Sequence, residues 1–373
     1  MYKPSLKNNW SLIGLCVLSI VLFYVVQNSK KDVQQKYYDE KILAAQNNEV
    51  AMKVLKDEVL SLGYIIDKLN DPNETGLIGT SVSSITTSRG ALSERLATLN
   101  PNFAAAMIDL LKGCDLKEGD YVAVGVTGAN PGANMAMYMA METLKLKPII
   151  IVSAGSSTYG ANRELFTWLD METALYETEM ISFKSKYATL GGTNDIGRGL
   201  PPEGRDNLMR AIIRNHVTPL NGANLKENVQ LRYESYLKEL PPDTQYSAFI
   251  NLGAGVGNVG SLVNAKIIPT GVNKKLGEKE FKEPGVMMNF AEMNIPVVHV
   301  YNVMKIVKEN KLESNPYPLP KAGEGAIFSK QINNVLIAVI CWIILLGAII
   351  AVIIFDRHDR HFMSNLVDPE EDL

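Results

Sequence analysis

The residues that could do chemistry sit in a few polar, glycine-rich loops between residues 127 and 260. Ser156 follows an apolar run and precedes a helical stretch, where a nucleophile elbow would lie. The elbow pattern G-x-S-x-G is absent, because Gly155-Ser-Ser-Thr-Tyr-Gly160 has the wrong spacing. Ser156, His299 and Asp195 complete a triad only on paper, since His299 falls inside an apolar strand-like run, where an imidazole is ordinarily a core residue. Anion binding fits the residue types better. Thr127, Asn130, Ser156, Ser157, Asn162 and Asn194 are small donors and acceptors in loops. Asp195 and Arg198 share a Gly-rich loop, and Arg198 and Arg205 could fork onto carboxylates. The bland alternative is that all of these are turn, cap and surface-pair residues.

Metal and cofactor chemistry find little to work with. His216 and His299 are the imidazoles of the body, without H-x-x-x-H or C-x-x-C spacing. No metal and no cofactor are expected. Asp170 and Glu172, two apart on a helix, do not share a face; Asp170 beside Trp168 reads as part of a structural knot. Gly255-Val-Gly257-Asn-Val-Gly260 matches G-x-G-x-x-G after a strand, but Pro269 and Gly271 leave no room for a full crossover helix. That run reads instead as close backbone approach to another loop or to a ligand.

These loops need elements to position them, and the chain supplies a repeat of strand, loop and helix. Residues 121–126 are a short apolar, β-rich run. Asn130 is a good N-cap, and Pro131 suits the first helical position, where its missing N–H loses nothing. A second strand at 148–152 is continuously apolar, as a strand buried on both faces must be. A weaker third is expected over 181–188, a fourth over 247–252 and a fifth over 296–301, near Tyr121, Ile149, Ile181, Ala248 and Val297. The expectation is an α/β fold with a mostly parallel, doubly wound sheet. Its βα loops would share the carboxyl edge, where such sheets bind ligands and helix N-termini favour anions.

The remaining stretches frame this body, expected over 75–315. Residues 10–26 are apolar and near the lower length limit for a membrane span. An uncleaved signal anchor fits better than a cleaved signal peptide, because no small-x-small site follows. Residues 335–355 form a longer, uncharged apolar run, ended by a charged cluster and a short polar tail over 356–373. Two transmembrane helices would put both termini on one side of a bilayer. Flanking lysines and arginines are nearly balanced, so orientation rests on the commoner design, an N-terminal anchor followed by a translocated domain. Residues 30–70 read as a membrane-proximal helix with a heptad-like stripe. It packs on the body or, as the other reading, forms an oligomerising stalk that leaves a homo-oligomer open. Residues 78–88 read as an extra strand, and 316–334 as an extended linker. A formal net charge of −3 argues against nucleic-acid binding.

Several blocks together resemble one family. They are Thr75-Gly-Leu-Ile-Gly79, Asn100-Pro-Asn-Phe-Ala104, Gly119-Asp-Tyr-Val-Ala-Val-Gly125, Tyr159-Gly-Ala-Asn162, Phe166-Thr-Trp-Leu-Asp-Met-Glu172, Leu190-Gly-Gly192 and Glu203-Gly-Arg205. The chain resembles the bacterial poly-γ-glutamate system protein family across nearly the whole body. That resemblance implies a protein of the cytoplasmic (inner) membrane that works beside the poly-γ-glutamate synthase and its export partners on an anionic polymer. It implies no catalytic residue. Two classes follow: an accessory that binds polymer or partner proteins, and a hydrolase or transferase that trims or transfers the polymer. The lack of a recognisable nucleophile–base pair favours the accessory.

Overall fold

The computed structural model describes residues 8–364, with side chains through residue 355. Lys3, Lys7 and the acidic tail at 368–373 lie outside the described residues, as do the side chains of the charged cluster at 356–361. The chain divides into two compact units, Gln35–Phe328 and the two ends of the chain together.

In the terminal unit, helix Asn9–Asn28 leads into strand Lys30–Gln34, and strand Ser329–Asn333 leads into helix Val335–Ser364. The strands pair antiparallel, Lys30 opposite Asn333 and Gln34 opposite Ser329. Asn8 caps the first helix by accepting from the Trp10 N–H at 3.0 Å. Asn9–Asn28 and Val335–Phe355 are each long and apolar enough to cross a membrane. Their apolar side chains are mostly exposed, so neither is the core helix of a soluble fold. Here the chain departs from expectation: residues 30–34 are strand rather than helix, and 329–333 are paired rather than an extended linker.

The body is built on a seven-stranded sheet. Its strands are β1 Tyr121–Thr127, β2 Lys147–Ser153, β3 Tyr187–Thr189, β4 Thr218–Pro219, β5 Tyr246–Leu252, β6 Gly271–Asn273 and β7 Val297–Val300. Spatial order is β6-β7-β5-β1-β2-β3-β4. All neighbours are parallel except β6 and β7. The chain therefore winds from β1 outward to β4, returns to the other side of β1 as β5, and continues to β7. The winding direction reverses between β1 and β5.

Both faces are covered, which explains the continuous apolar strands. On β1, Val122, Val124 and Val126 belong to one core while Ala123 belongs to the other. The larger core packs beneath helices α1 Tyr38–Ser61, α2 Phe103–Lys112, α3 Pro131–Thr143, α4 Trp168–Glu177 and α5 Pro202–Arg214. The other holds Tyr236 of α6 Leu225–Glu239 and Phe290 of α7 Val286–Glu292. The final body helix, α8 Val303–Glu309, returns to the larger core. Helix α3 is buried on every side from Pro131 to Met141, packed against both α1 and α2. Its alternating Ala and Met explain how: Ala permits close approach, and flexible Met fills uneven gaps.

The differences from the sequence reading have physical causes. Strand β3 covers only 187–189; Ile181 is buried, but its segment has no ladder. Strand β4 was not foreseen, being two residues long with Pro219 at a sheet edge, where no further ladder bond is lost. Residues 78–88 yield only Thr86–Ser88, which pairs outside the main sheet with Ser156–Ser157.

Candidate ligand-binding cleft

The reversal between β1 and β5 parts the loops that follow them, and ligands of open α/β sheets bind in such crevices. Two adjoining cavities occupy this place. The first, about 450 Å³, is lined by Arg89, Arg95, Thr127, Asn130, Ser157 and Lys266, among others. The second, about 180 Å³, is lined by Thr87, Ser153, Thr193 and Asp195 among others, and shares Ser88, Thr127, Ala129, Ala254 and Leu262 with the first.

The floor comes from β1 and α3. Asn134 of α3 donates Nδ2 to the Thr127 carbonyl at 2.8 Å. Asn130 caps α3 by accepting from the Ala133 N–H at 3.3 Å, and its Oδ1 also accepts from the Thr98 hydroxyl at 2.7 Å. One wall is the 86–90 segment. Thr158 fastens it: its N–H donates to the Ser88 carbonyl at 3.0 Å, and its hydroxyl donates to the Gly90 carbonyl at 2.8 Å and accepts from the Gly90 N–H at 2.7 Å. The opposite wall is the short helix Leu262–Ile267, which carries Lys266.

Charge in the first cavity is positive. Arg89, Arg95 and Lys266 face a single carboxylate, Glu94. Arg95 is 7% exposed, and its Nη2 donates to Ser157 Oγ at 2.7 Å. Its Nη1 lies 3.7 Å from Glu94 Oε2. The buried Nε–H has no hydrogen-bond partner among the described residues. Burial pulls the Arg95 pKa down and Glu94 pushes it back up, but guanidinium stays protonated in proteins.

Beneath the second cavity lies a closed ionic network. Arg232 of α6 and Asp195 are both essentially inaccessible, and Arg232 Nε donates to Asp195 Oδ2 at 2.9 Å. Ser153 and Thr189 each donate to Asp195 Oδ1 at 2.8 Å, and each accepts from Arg232 Nη2, at 2.7 and 2.6 Å. Arg232 Nη1 reaches Asn258 Oδ1 at 3.3 Å, and Asn228 Nδ2 donates to the Asp195 carbonyl at 3.0 Å. The network ties the carboxyl ends of β2 and β3 to the glycine-rich loop after β5. Gly257 is there for proximity: a Cβ would overlap Asp195 Oδ2 and lie 2.6 Å from Arg232 Nε. The glycine run thus gives backbone approach to another loop.

The residues singled out from sequence divide accordingly. Thr127, Asn130 and Ser157 line the first cavity, and Thr127 and Asp195 the second, with the Asp195 carboxylate already engaged. Ser156, Asn162, Asn194, Arg198 and Arg205 line neither. Ser156 Oγ donates to the Gly128 carbonyl at 2.8 Å. Asn162 accepts from the Thr80 N–H at 2.9 Å and donates to the Thr80 carbonyl at 2.8 Å and Thr86 Oγ1 at 3.0 Å. It therefore holds the 80–86 segment in place. Arg205 donates to the Leu200 carbonyl at 2.7 Å, and Arg198 is exposed.

The paper triad is dispersed. His299 Nδ1 accepts from Asn251 Nδ2 at 2.9 Å, which leaves Nε2–H to donate to the Ala265 carbonyl at 3.0 Å. Burial lowers its pKa, keeping it neutral in the core. Asp170 is the expected structural knot: its carboxylate accepts from the Thr167 N–H and is clamped by Arg214 at 2.7 and 2.6 Å. Glu172, fully buried, accepts from Tyr138 and Ser185 hydroxyls at 2.7 Å, and burial raises its pKa. Among the described residues no cluster of three or more His, Cys, Asp or Glu could hold a metal.

Sequence reasoning missed Arg89, Arg95, Lys266 and Arg232. Arg89 and Arg95 come before the sheet in the chain, and only the pairing of Thr86–Ser88 with Ser156–Ser157 carries them to its carboxyl edge. No family model, no curated protein and no solved structure matches the chain.

Proposed function

We propose that this protein is a membrane-anchored accessory of poly-γ-glutamate synthesis or export, and that it binds the anionic polymer in the cleft between β1 and β5. The observation that carries the reading is the convergence of Arg89, Arg95 and Lys266 on one cavity at the point where the winding reverses. A polymer with a carboxylate on every residue suits that charge, and the resemblance noted in the sequence supplies the polymer's identity. Two bilayer spans would hold the body on the outer side of a bacterial cytoplasmic membrane, beside the synthase and export proteins.

Trimming or transferring the polymer would need a nucleophile in contact with a base. Ser156 is engaged by a carbonyl and His299 by Asn251 and Ala265, so neither supports that alternative.

The test is polymer binding by the full chain in detergent at low salt. Arg89→Gln and Lys266→Gln alter exposed side chains and leave the core intact. Each is expected to weaken binding about fivefold, the effect of an exposed charge pair worth roughly 1 kcal/mol. Binding should fall as salt screens the cleft. Unchanged affinity in both variants removes the cleft as the polymer site, and shortened polymer after incubation replaces the accessory with a hydrolase.

A further inference from the structure

We infer that the cleft reads the end of an anionic chain and not its length, and that the end it takes is the carboxyl terminus of a γ-linked polymer. The inference rests on the polymer reading above and adds which part of the ligand is bound. Its basis is the unequal charge of the two chambers.

The larger chamber concentrates the cations. Arg89, Arg95 and Lys266 oppose Glu94, leaving two positive charges. Arg95 is over nine-tenths buried and its Nη2 is held by Ser157 Oγ at 2.7 Å, so its charge is fixed in the chamber wall. Asn130 adds an amide at the start of α3, whose N-terminal end also favours an anion.

The smaller chamber has no such provision. The Ser153 and Thr87 hydroxyls already donate, to Asp195 Oδ1 and to the Ser156 carbonyl, and among the described residues Asp195 is the only charged one lining this chamber. Arg232 already neutralises that carboxylate from beneath. A second ligand carboxylate placed there would lose water and gain no cation. A chain with a carboxylate on every residue is therefore disfavoured from running through both chambers. The 86–90 segment, fastened to Thr158, forms one side wall. At about 450 Å³ the basic chamber falls at the low end of small-molecule sites, roughly 300–1,000 Å³, and suits a terminal unit better than a long stretch.

The two ends of a γ-linked glutamate chain differ in charge. The amino-terminal unit carries one carboxylate and an ammonium. The carboxyl-terminal unit carries two carboxylates and no ammonium. Two surplus positive charges match the second.

The experiment uses the full chain in detergent and measures affinity per chain for γ-linked glutamate oligomers of about 3, 10 and 30 units. End recognition predicts dissociation constants within about threefold of one another. It also predicts at least a tenfold loss on amidating the carboxyl-terminal unit, and little change on acetylating the amino end. Lys266→Gln should weaken all three lengths by the same factor. Affinity per chain that rises about tenfold from the shortest to the longest overturns end recognition and leaves the polymer reading standing, since sites along a chain multiply with its length. Tighter dependence on the amino end overturns the choice of terminus. Absence of binding by every oligomer and by long polymer overturns the polymer reading and this inference together.

Discussion

Arg232 and Asp195 form an ion pair with no access to water, and two hydroxyls satisfy their remaining valences. Such a pair adds little net stability as a unit, because desolvation offsets attraction, but removing one partner strands a buried charge. Arg232→Met is therefore expected to cost about 3–5 kcal/mol, read from chemical unfolding of the full chain in detergent. Adding Asp195→Asn should recover part of that loss. Asn is the right second change because residue 195 has a positive φ of 60°, which Asn tolerates better than other neutral residues. A loss below about 1 kcal/mol in the single variant would mean that the pair does not hold these loops. Aspartate in a Gly-rich loop was visible in the sequence; its partner was not. Arg232 lies 37 positions away on a charged helix, where an arginine ordinarily reads as solvated.

At the scale of elements, the cleft depends on loops brought close by missing side chains. Gly257 sits in the short helix Val256–Val259 directly over the ion pair. Gly257→Ala would drive a methyl into Asp195 and Arg232, both fixed by several bonds, so the loop has to move. The expected cost is about 1–3 kcal/mol, the usual range for overpacking. The same shift should weaken anion binding, because the loop after β5 forms part of both cavities. Unfolding and ligand titration on the one variant check the two effects. A variant as stable as the parent would show that the loop has slack. The sequence marked this run as a place of close approach, because glycines recur where a strand ends. What approaches it depends on β2 and β3 lying two and three strands away from β5.

For the whole molecule, the proposed membrane arrangement makes its own prediction. Residue 280 is exposed in the body, and Cys114 is buried with its thiol pushed up to about 11. In a Glu280→Cys variant the new thiol should react with an impermeant reagent on intact spheroplasts, well above the parent. Labelling only after lysis would place the body in the cytoplasm. The sequence by itself determined the large features. Apolar runs of 20 or so residues announce spanning-length helices, and β-rich apolar runs alternating with capped helices announce a mostly parallel α/β sheet. Those signals are local, since periodicity, capping and turn chemistry act within a few residues. Short edge strands stayed hidden because two or three residues carry no period. The cleft was decided only by tertiary structure. Its cations come from a segment preceding β1 and a short helix after β5, and strand order, which no local pattern encodes, is what sets them on either side of one crevice.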